Sequence, residues 1–144
     1  MALDMAPPAG AAEFLAAAGW AGADIRPLAG DASFRRYFRV ADTGQRRQAV
    51  LMDAPPPHED PRPYLAVADY LRGHGFHAPQ VFARNVEAGL VLLEDMGDRR
   101  MREHLDARPG DEPRIYAAAI DELVRLHASP CAALRPYDQA EYLR

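Results

Sequence analysis

The sequence predicts an α+β fold, a five-stranded antiparallel sheet with one packed helix, leading into a helical region. Three observations predict it. Apolar residues make up 49% of the 144, enough to form one compact core. The elements read in the order helix, three strands, helix, two strands, then helices only. Such a βββαββ run suggests a small antiparallel sheet with a helix on it. Finally, residues 34–40 alternate in polarity, whereas the apolar residues of 64–71 and 116–127 recur at helical spacing.

Residues 1–10 are rich in proline and glycine and read as a flexible N-terminus. A short helix is predicted from Ala11 to Ala18, with Phe14, Leu15 and Ala18 on one side and Gly19 as its terminator. Ile25 to Leu28 is a short strand, and Gly30-Asp31-Ala32-Ser33 a turn. From Phe34 to Val40, Phe34, Arg36, Phe38 and Val40 fall on one face and Arg35, Tyr37 and Arg39 on the other. Turn chemistry at Asp42-Thr43-Gly44-Gln45 leads into a strand from Gln48 to Asp53, which completes a hairpin.

Pro55-Pro56-Pro57 breaks the pattern. Asp60-Pro61 starts a helix, with a carboxylate cap and proline just inside; Tyr64, Val67, Ala68 and Leu71 follow at helical spacing. The helix runs out between Gly73 and Gly75. A strand from Val81 to Val86, a turn at Glu87-Ala88-Gly89 and the apolar run Leu90 to Leu93 form the second strand pair. Gly97-Asp98 opens a short polar helix from Arg99 to Leu105. Asp111 caps the longest helix, Glu112 to Ala128, whose buried stripe is predicted to include Tyr116, Ile120, Leu123 and His127.

Composition narrows the function classes. The formal net charge is −4 and there is no long basic run, so nucleic-acid binding is not suggested. All seventeen basic residues are arginine, and no site can use an ammonium group. Arginine in place of lysine, together with abundant alanine, fits a GC-rich coding sequence. Cys131 is the only cysteine, so no intrachain disulfide forms and a cytoplasmic protein is expected. Asp4 stands where a secretion signal would carry positive charge, and no apolar run is long enough to span a bilayer; no membrane partner is expected.

Three motifs carry chemistry. The first is LAGDASFRRYFRV, residues 28–40. A turn between strands can aim backbone N–H groups at phosphate oxygens, and Ser33 can add a hydroxyl; an ordinary hairpin turn reads the same way. Arg36 shares the face of Phe34 and Phe38, where it either grips a phosphate bidentately or snorkels. The second motif is AVLMDAPPP, residues 49–57, and the third GLVLLEDMGD, residues 89–98. After the buried strand of the third, the main chain at Glu94 to Met96 can offer a carbonyl and an N–H to the edge of a base. Val50, Leu92, Leu93 and Met96 can pack on the base's faces. The alternative is a core strand followed by a helix cap, with Asp95 and Asp98 capping.

The ordered set resembles the aminoglycoside phosphotransferase and choline kinase superfamily, in which a glycine, a serine and then an aromatic four residues later recur; here these are Gly30, Ser33 and Tyr37. It is most similar to the bacterial branch of N-acetylmuramate/N-acetylglucosamine anomeric kinases of cell-wall recycling. The resemblance runs from about Phe14 to the end of the chain. It implies a protein-kinase-like N-lobe and hinge over residues 11–96 and the beginning of a helical C-lobe over 97–144. It implies ATP and Mg²⁺ as cofactors and a small amino-sugar substrate. It places Gly30, Asp31, Ala32, Ser33, Arg36, Val50, Met52, Leu93, Glu94 and Met96 around the nucleotide.

Two departures limit what the resemblance implies. The third strand of kinases usually carries a phosphate-pairing lysine, and that position is Met52. Either an arginine replaces it, Mg²⁺ carries more of the charge, or the lobe holds nucleotide weakly. The superfamily's catalytic loop, H-x-D-x-x-x-x-N, needs an asparagine, and the single one, Asn85, lies in a strand before the hinge. HLDARPGD, His104 to Asp111, matches that loop except at its last residue. It would make Asp106 the base and Asp111 a metal ligand, but it falls only a few residues past the hinge and reads equally as the end of one helix and the start of another. The sequence therefore predicts an incomplete kinase: a nucleotide-binding lobe with no catalytic or metal-binding residue of its own, inactive by itself. Two other readings are a non-catalytic nucleotide-binding or protein-interaction module and, from its lack of further turn glycines the weaker, a Ser/Thr protein kinase relative.

Overall fold

The computed structural model describes residues 6–28 and 34–130. The predicted turn Gly30, Asp31, Ala32 and Ser33 lies outside the described residues. The chain divides into two compact units between Gly97 and Asp98.

The first unit contains helix α1 (Ala11–Ala17), strands β1 (Asp24–Pro27), β2 (Arg36–Asp42) and β3 (Arg47–Asp53), helix α2 (Arg62–Gly73), and strands β4 (Val81–Asn85) and β5 (Leu90–Glu94). The predicted five-stranded antiparallel sheet is present, in the order β1-β2-β3-β5-β4. β2 starts later and ends later than the polarity pattern predicts. Its end is fixed by pairing, Asp42 lying opposite Arg47, with Asp42 Oδ1 accepting the Gln45 N–H at 3.1 Å across the turn. That backbone hydrogen bond, followed by the Arg47 guanidinium, holds the Asp42 carboxyl below its ordinary value.

Register sorts the side chains onto two faces. Phe38 lies opposite Leu51 and Val40 opposite Ala49, while Leu51 lies opposite Leu92. These residues and Leu90 are buried against Ala11, Leu15 and Trp20 of the α1 region. Fully burying a Phe, Leu or Val side chain contributes about 1.5–3 kcal/mol. The prediction assigned one packed helix, α2; α1 covers the other face. Arg47 ties the end of α1 down: its guanidinium lies 4.0 Å from the centroid of the Trp20 ring, donates to the Gly19 carbonyl, and pairs with Asp42 at 3.1 Å.

On the opposite face Met52, Val91 and Leu93 are buried with Leu65 of α2, and Tyr37, Val50, Tyr64 and Val81 pack around them. α2 begins one residue later than its sequence predicts, with Pro61 and not Asp60 in the cap position. Asp60 Oδ1 accepts the Arg62 N–H at 3.0 Å, and prolines occupy the first turn, where no N–H is needed. Its buried residues are Leu65 and Ala68, whereas the predicted Val67 is 38% exposed. The apolar positions run wider than the contact, so spacing alone does not select the line that touches the sheet.

The second unit contains α3 (Met101–Ala107), a 3₁₀ turn at Pro109–Asp111, and α4 (Glu112–Ala128). The predicted stripe on α4 is not buried among the described residues: Tyr116, Ile120 and Leu123 are 47%, 57% and 55% exposed, and His127 is exposed too. Helical spacing records an apolar face, not the element that covers it. Asp111 sits at the head of α4 but makes no side-chain cap. Its Oδ2 instead accepts a hydrogen bond from His104 Nε2 at 2.7 Å, with Arg114 at 3.6 Å.

That hydrogen bond, ahead of the charges of Arg114, His104 and Arg108, holds the Asp111 carboxyl below its ordinary value. A carboxyl lowered on folding stabilises the fold above the unfolded value of about 3.9, and the stabilisation fades as the pH falls through the lowered value. Asp111→Asn is expected to flatten the acid limb of stability, measured by circular-dichroism melts below about pH 5. An acid limb unchanged from wild type would show that Asp111 has no part in it.

Candidate functional site

The alternation of β2, extended through its partners, gathers one set of predicted residues on a single face. Arg39 lies opposite Val50, and Val50 opposite Leu93; Tyr37 lies opposite Met52, and Met52 opposite Val91. Val50 is half-buried, Leu93 is 4% exposed and Met52 is fully buried. Val50 is thus the partly exposed member of an apolar face in which Leu93, Met52 and Leu65 are buried together, with Tyr37 packed against them.

The segment that follows β5 is held by Asp95. Its carboxylate accepts the Gly97 N–H at 2.8 Å and receives the Arg39 guanidinium, Nε at 2.7 Å to Oδ2 and NH2 at 3.4 Å to Oδ1. The Asp95 side chain is 8% exposed, so this charge-assisted fork is largely shielded from water. Gly97 turns with φ of 76°, a conformation in which glycine is unstrained. Glu94 is engaged on the strand side, its N–H donating to the Gln80 carbonyl at 2.8 Å and its carboxylate accepting the Gln80 N–H at 3.0 Å. The Met96 backbone makes no hydrogen bond with the protein among the described residues, and its side chain is 49% exposed. The Met96 N–H and carbonyl are therefore available to an outside acceptor and donor, two residues past the end of β5.

Arg36 stands on the other face of the sheet from Val50 and Met52, the face of Phe38 that the alternation predicts. It lies opposite Asp53, on the α1 face with Phe38 and Leu51. Its Nε and NH2 donate to Asp53 Oδ2 at 2.8 and 2.6 Å. Asp53 is the buried acid of the core, 2% exposed, and burying a carboxylate without a partner is costly. The separation follows from register: Arg36 and Met52 are on opposite sides of the pleat.

Sequence reasoning missed two groups that the fold does bring to the Val50 face. One is Arg39 with Asp95. The other is Arg35, whose Nε donates to Glu59 Oε2 at 2.9 Å; the side chains are 28% and 19% exposed. Burial pulls the Arg35 guanidinium down, but the Glu59 hydrogen bond and charge outweigh it, with Tyr37 adding to them, and leave it raised. Burial pushes the Tyr64 phenol up, and Tyr37 adds to that. Nearby, Phe34 stacks on His58 with centroids 5.0 Å apart. The alternation placed Arg35, Tyr37 and Arg39 together, but no sequence signal paired them with Glu59 and Asp95.

Among the described residues no other part gathers comparable chemistry. A cleft of about 810 Å³ lies between α1 and the β4–β5 hairpin, on the opposite face of the sheet, lined by Glu13, Phe14, Ala83 and Leu90 among others. In the second unit Asp106 is exposed and lies 3.9 Å from Arg102, while Asp111 is engaged by His104, so the two carboxylates of HLDARPGD have separate structural partners. Among the described residues no group of three or more His, Cys, Asp or Glu could hold a metal ion, and no helix is long and apolar enough to cross a membrane.

Comparison with known proteins adds an independent line. Residues 24–144 match the model of the phosphotransferase enzyme family. The chain is 40% identical, over 89% of its length, to the N-acetylmuramate/N-acetylglucosamine kinase of Pseudomonas aeruginosa. It is 33% identical over 96% of its length to the protein of that name from Caulobacter vibrioides, and 35% identical over 84% to that from Neisseria meningitidis serogroup B. It spans 38%, 45% and 36% of the lengths of these three relatives.

Proposed function

The chain belongs to the phosphotransferase enzyme family, and from that premise we propose that it carries the ATP-binding lobe and hinge of a small-molecule kinase. The acceptor is a hydroxylated amino sugar such as N-acetylmuramate or N-acetylglucosamine, a reading supported by the names of its relatives. The observation that carries the nucleotide reading is the hinge. Asp95 is fixed by Arg39 and Gly97, and the Met96 main chain next to it makes no hydrogen bond with the protein among the described residues.

In this reading residues 11–96 are the nucleotide lobe and hinge, and 97–144 begin the helical lobe. Met96 N–H and C=O hold the adenine edge, and Val50, Leu93 and the Met96 side chain exclude water from its faces. Met52 supports that surface from below and does not touch phosphate. Gly30, Asp31, Ala32 and Ser33, outside the described residues, take the phosphate-facing role through backbone N–H groups and the Ser33 hydroxyl. ATP supplies the transferred phosphoryl group. In this reading the acceptor's base and the Mg²⁺ ligands are supplied by the helical lobe of the full-length protein. The protein acts in the cytoplasm, free of nucleic acid and membrane.

Calorimetric titration of this chain with MgATP is expected to give saturable binding, weakened by Ser33→Ala. A folded chain without detectable MgATP binding overturns the reading. Phosphate transfer to N-acetylmuramate and N-acetylglucosamine, assayed with full-length protein, tests the substrate class. A second reading, a nucleotide-binding or interaction module without catalysis, is favoured by the buried Met52 and the exposed apolar stripe of α4. Binding of MgATP with no transfer to any hydroxylated acceptor by full-length protein would support it.

A further inference from the structure

Kinase-type sites hold phosphates with a cation that a nearby carboxylate keeps in place, ordinarily a third-strand lysine and a helix glutamate. This chain has no lysine, and Met52 at the corresponding place is fully buried. Of the three alternatives for that charge, an arginine is the one the Val50 face can supply. Among the described residues three arginines reach that face. Arg84, on edge strand β4, lies 3.9 Å from Asp69 on α2 and is 57% exposed. Arg39 is bound to Asp95 at the hinge.

Arg35 differs from both. It lies just before β2, at the end away from the hinge, four residues from Arg39, which is about 13 Å along an extended chain. That span suits an extended nucleoside triphosphate whose base sits at the hinge. Its guanidinium lies against the Tyr37 phenol, and Tyr37 is directly across from Met52. It is half-buried, so its charge is less screened than that of a surface arginine. Glu59, just before α2, fixes it through the 2.9 Å hydrogen bond. The arrangement is a cation and a carboxylate near the start of the helix, on the face where the lysine–glutamate pair would stand.

We propose that Arg35 is the phosphate-binding cation of the nucleotide site and that Glu59 is its positioning residue. This assignment rests on the nucleotide reading above. It specifies a guanidinium that grips the phosphate chain bidentately, in place of the point charge of an ammonium.

The test is calorimetry of this chain with MgATP, ADP and adenosine, with folding followed by circular dichroism. Arg35→Met is expected to weaken ATP and ADP binding about tenfold or more and adenosine binding less than about twofold. Arg35→Lys is expected to recover most of the loss, Glu59→Gln to produce a smaller loss of the same phosphate-selective kind, and Arg84→Met no change. Should Arg35→Met not fold, Arg35→Gln, which keeps a donor for Glu59, carries the same expectation. Unchanged ATP affinity, or equal losses for ATP and adenosine, overturns the assignment and leaves the nucleotide reading standing. Wild-type protein that binds neither ATP nor adenosine overturns both.

Discussion

Arg36→Met is expected to destabilise the sheet unit by about 3–5 kcal/mol, because it leaves a buried carboxylate without its counter-charge. The Asp53 side chain is 3% exposed, and Arg36 gives it two hydrogen bonds, at 2.8 and 2.6 Å. In the single variant the Asp53 carboxylate keeps its burial and loses both hydrogen bonds from Arg36. The exposed pair Arg26–Asp24 provides the contrast: its side chains are 80% and 47% exposed, and breaking it is expected to cost no more than about 1 kcal/mol. Urea unfolding with an unchanged m-value measures both. Replacing both partners, Arg36→Met with Asp53→Leu, is expected to recover most of the loss, since a well-packed apolar pair carries no desolvation penalty. A loss below about 1 kcal/mol in Arg36→Met would show that Asp53 draws its compensation from elsewhere.

Gly89→Ala is expected to cost at least about 3 kcal/mol, through both conformation and overlap. Gly89 turns the β4–β5 hairpin with φ of 72°, where a side chain adds about 1–2 kcal/mol of strain. A Cβ there would overlap the Ala54 carbonyl oxygen and lie 2.8 Å from its carbon, backbone atoms that cannot rotate away. The same Gly89 carbonyl accepts the Ala54 N–H at 2.8 Å, so relieving the overlap sacrifices that bond. Gly75→Ala isolates the conformational part. Gly75 has φ of 77° with nothing within 4 Å of its Cβ position, so only the strain of about 1–2 kcal/mol is expected. Thermal melts of the two variants should differ accordingly, and equal losses would remove the steric argument.

Much of this fold was legible in the sequence, because its information is local. Alternation placed Phe38 and Val40 on one face and Tyr37 and Arg39 on the other. Asp60 with its prolines marked the start of α2, and the apolar run Leu90 to Leu93 marked the buried strand. Each follows from a period, a cap or a missing N–H, which depend on residues close in the chain. The candidate site was legible only in its hinge, where a buried strand and an aspartate precede a glycine.

The rest required the tertiary structure. The strand pattern gave Arg36 a face but not the identity of that face. Only the pairing of β2 with β3 puts Arg36 against Asp53 and sets it on the opposite side from Met52. Arg35 and Arg39 look alike in the string, yet one meets Glu59, 24 residues on, and the other Asp95, 56 residues on. The α4 stripe has the right spacing for burial, and its residues are exposed. The sequence by itself determined which residues form strands and helices and which sides are apolar. The tertiary structure decided which charges meet and which faces are covered, because register and packing join residues whose separation along the chain carries no periodic signal.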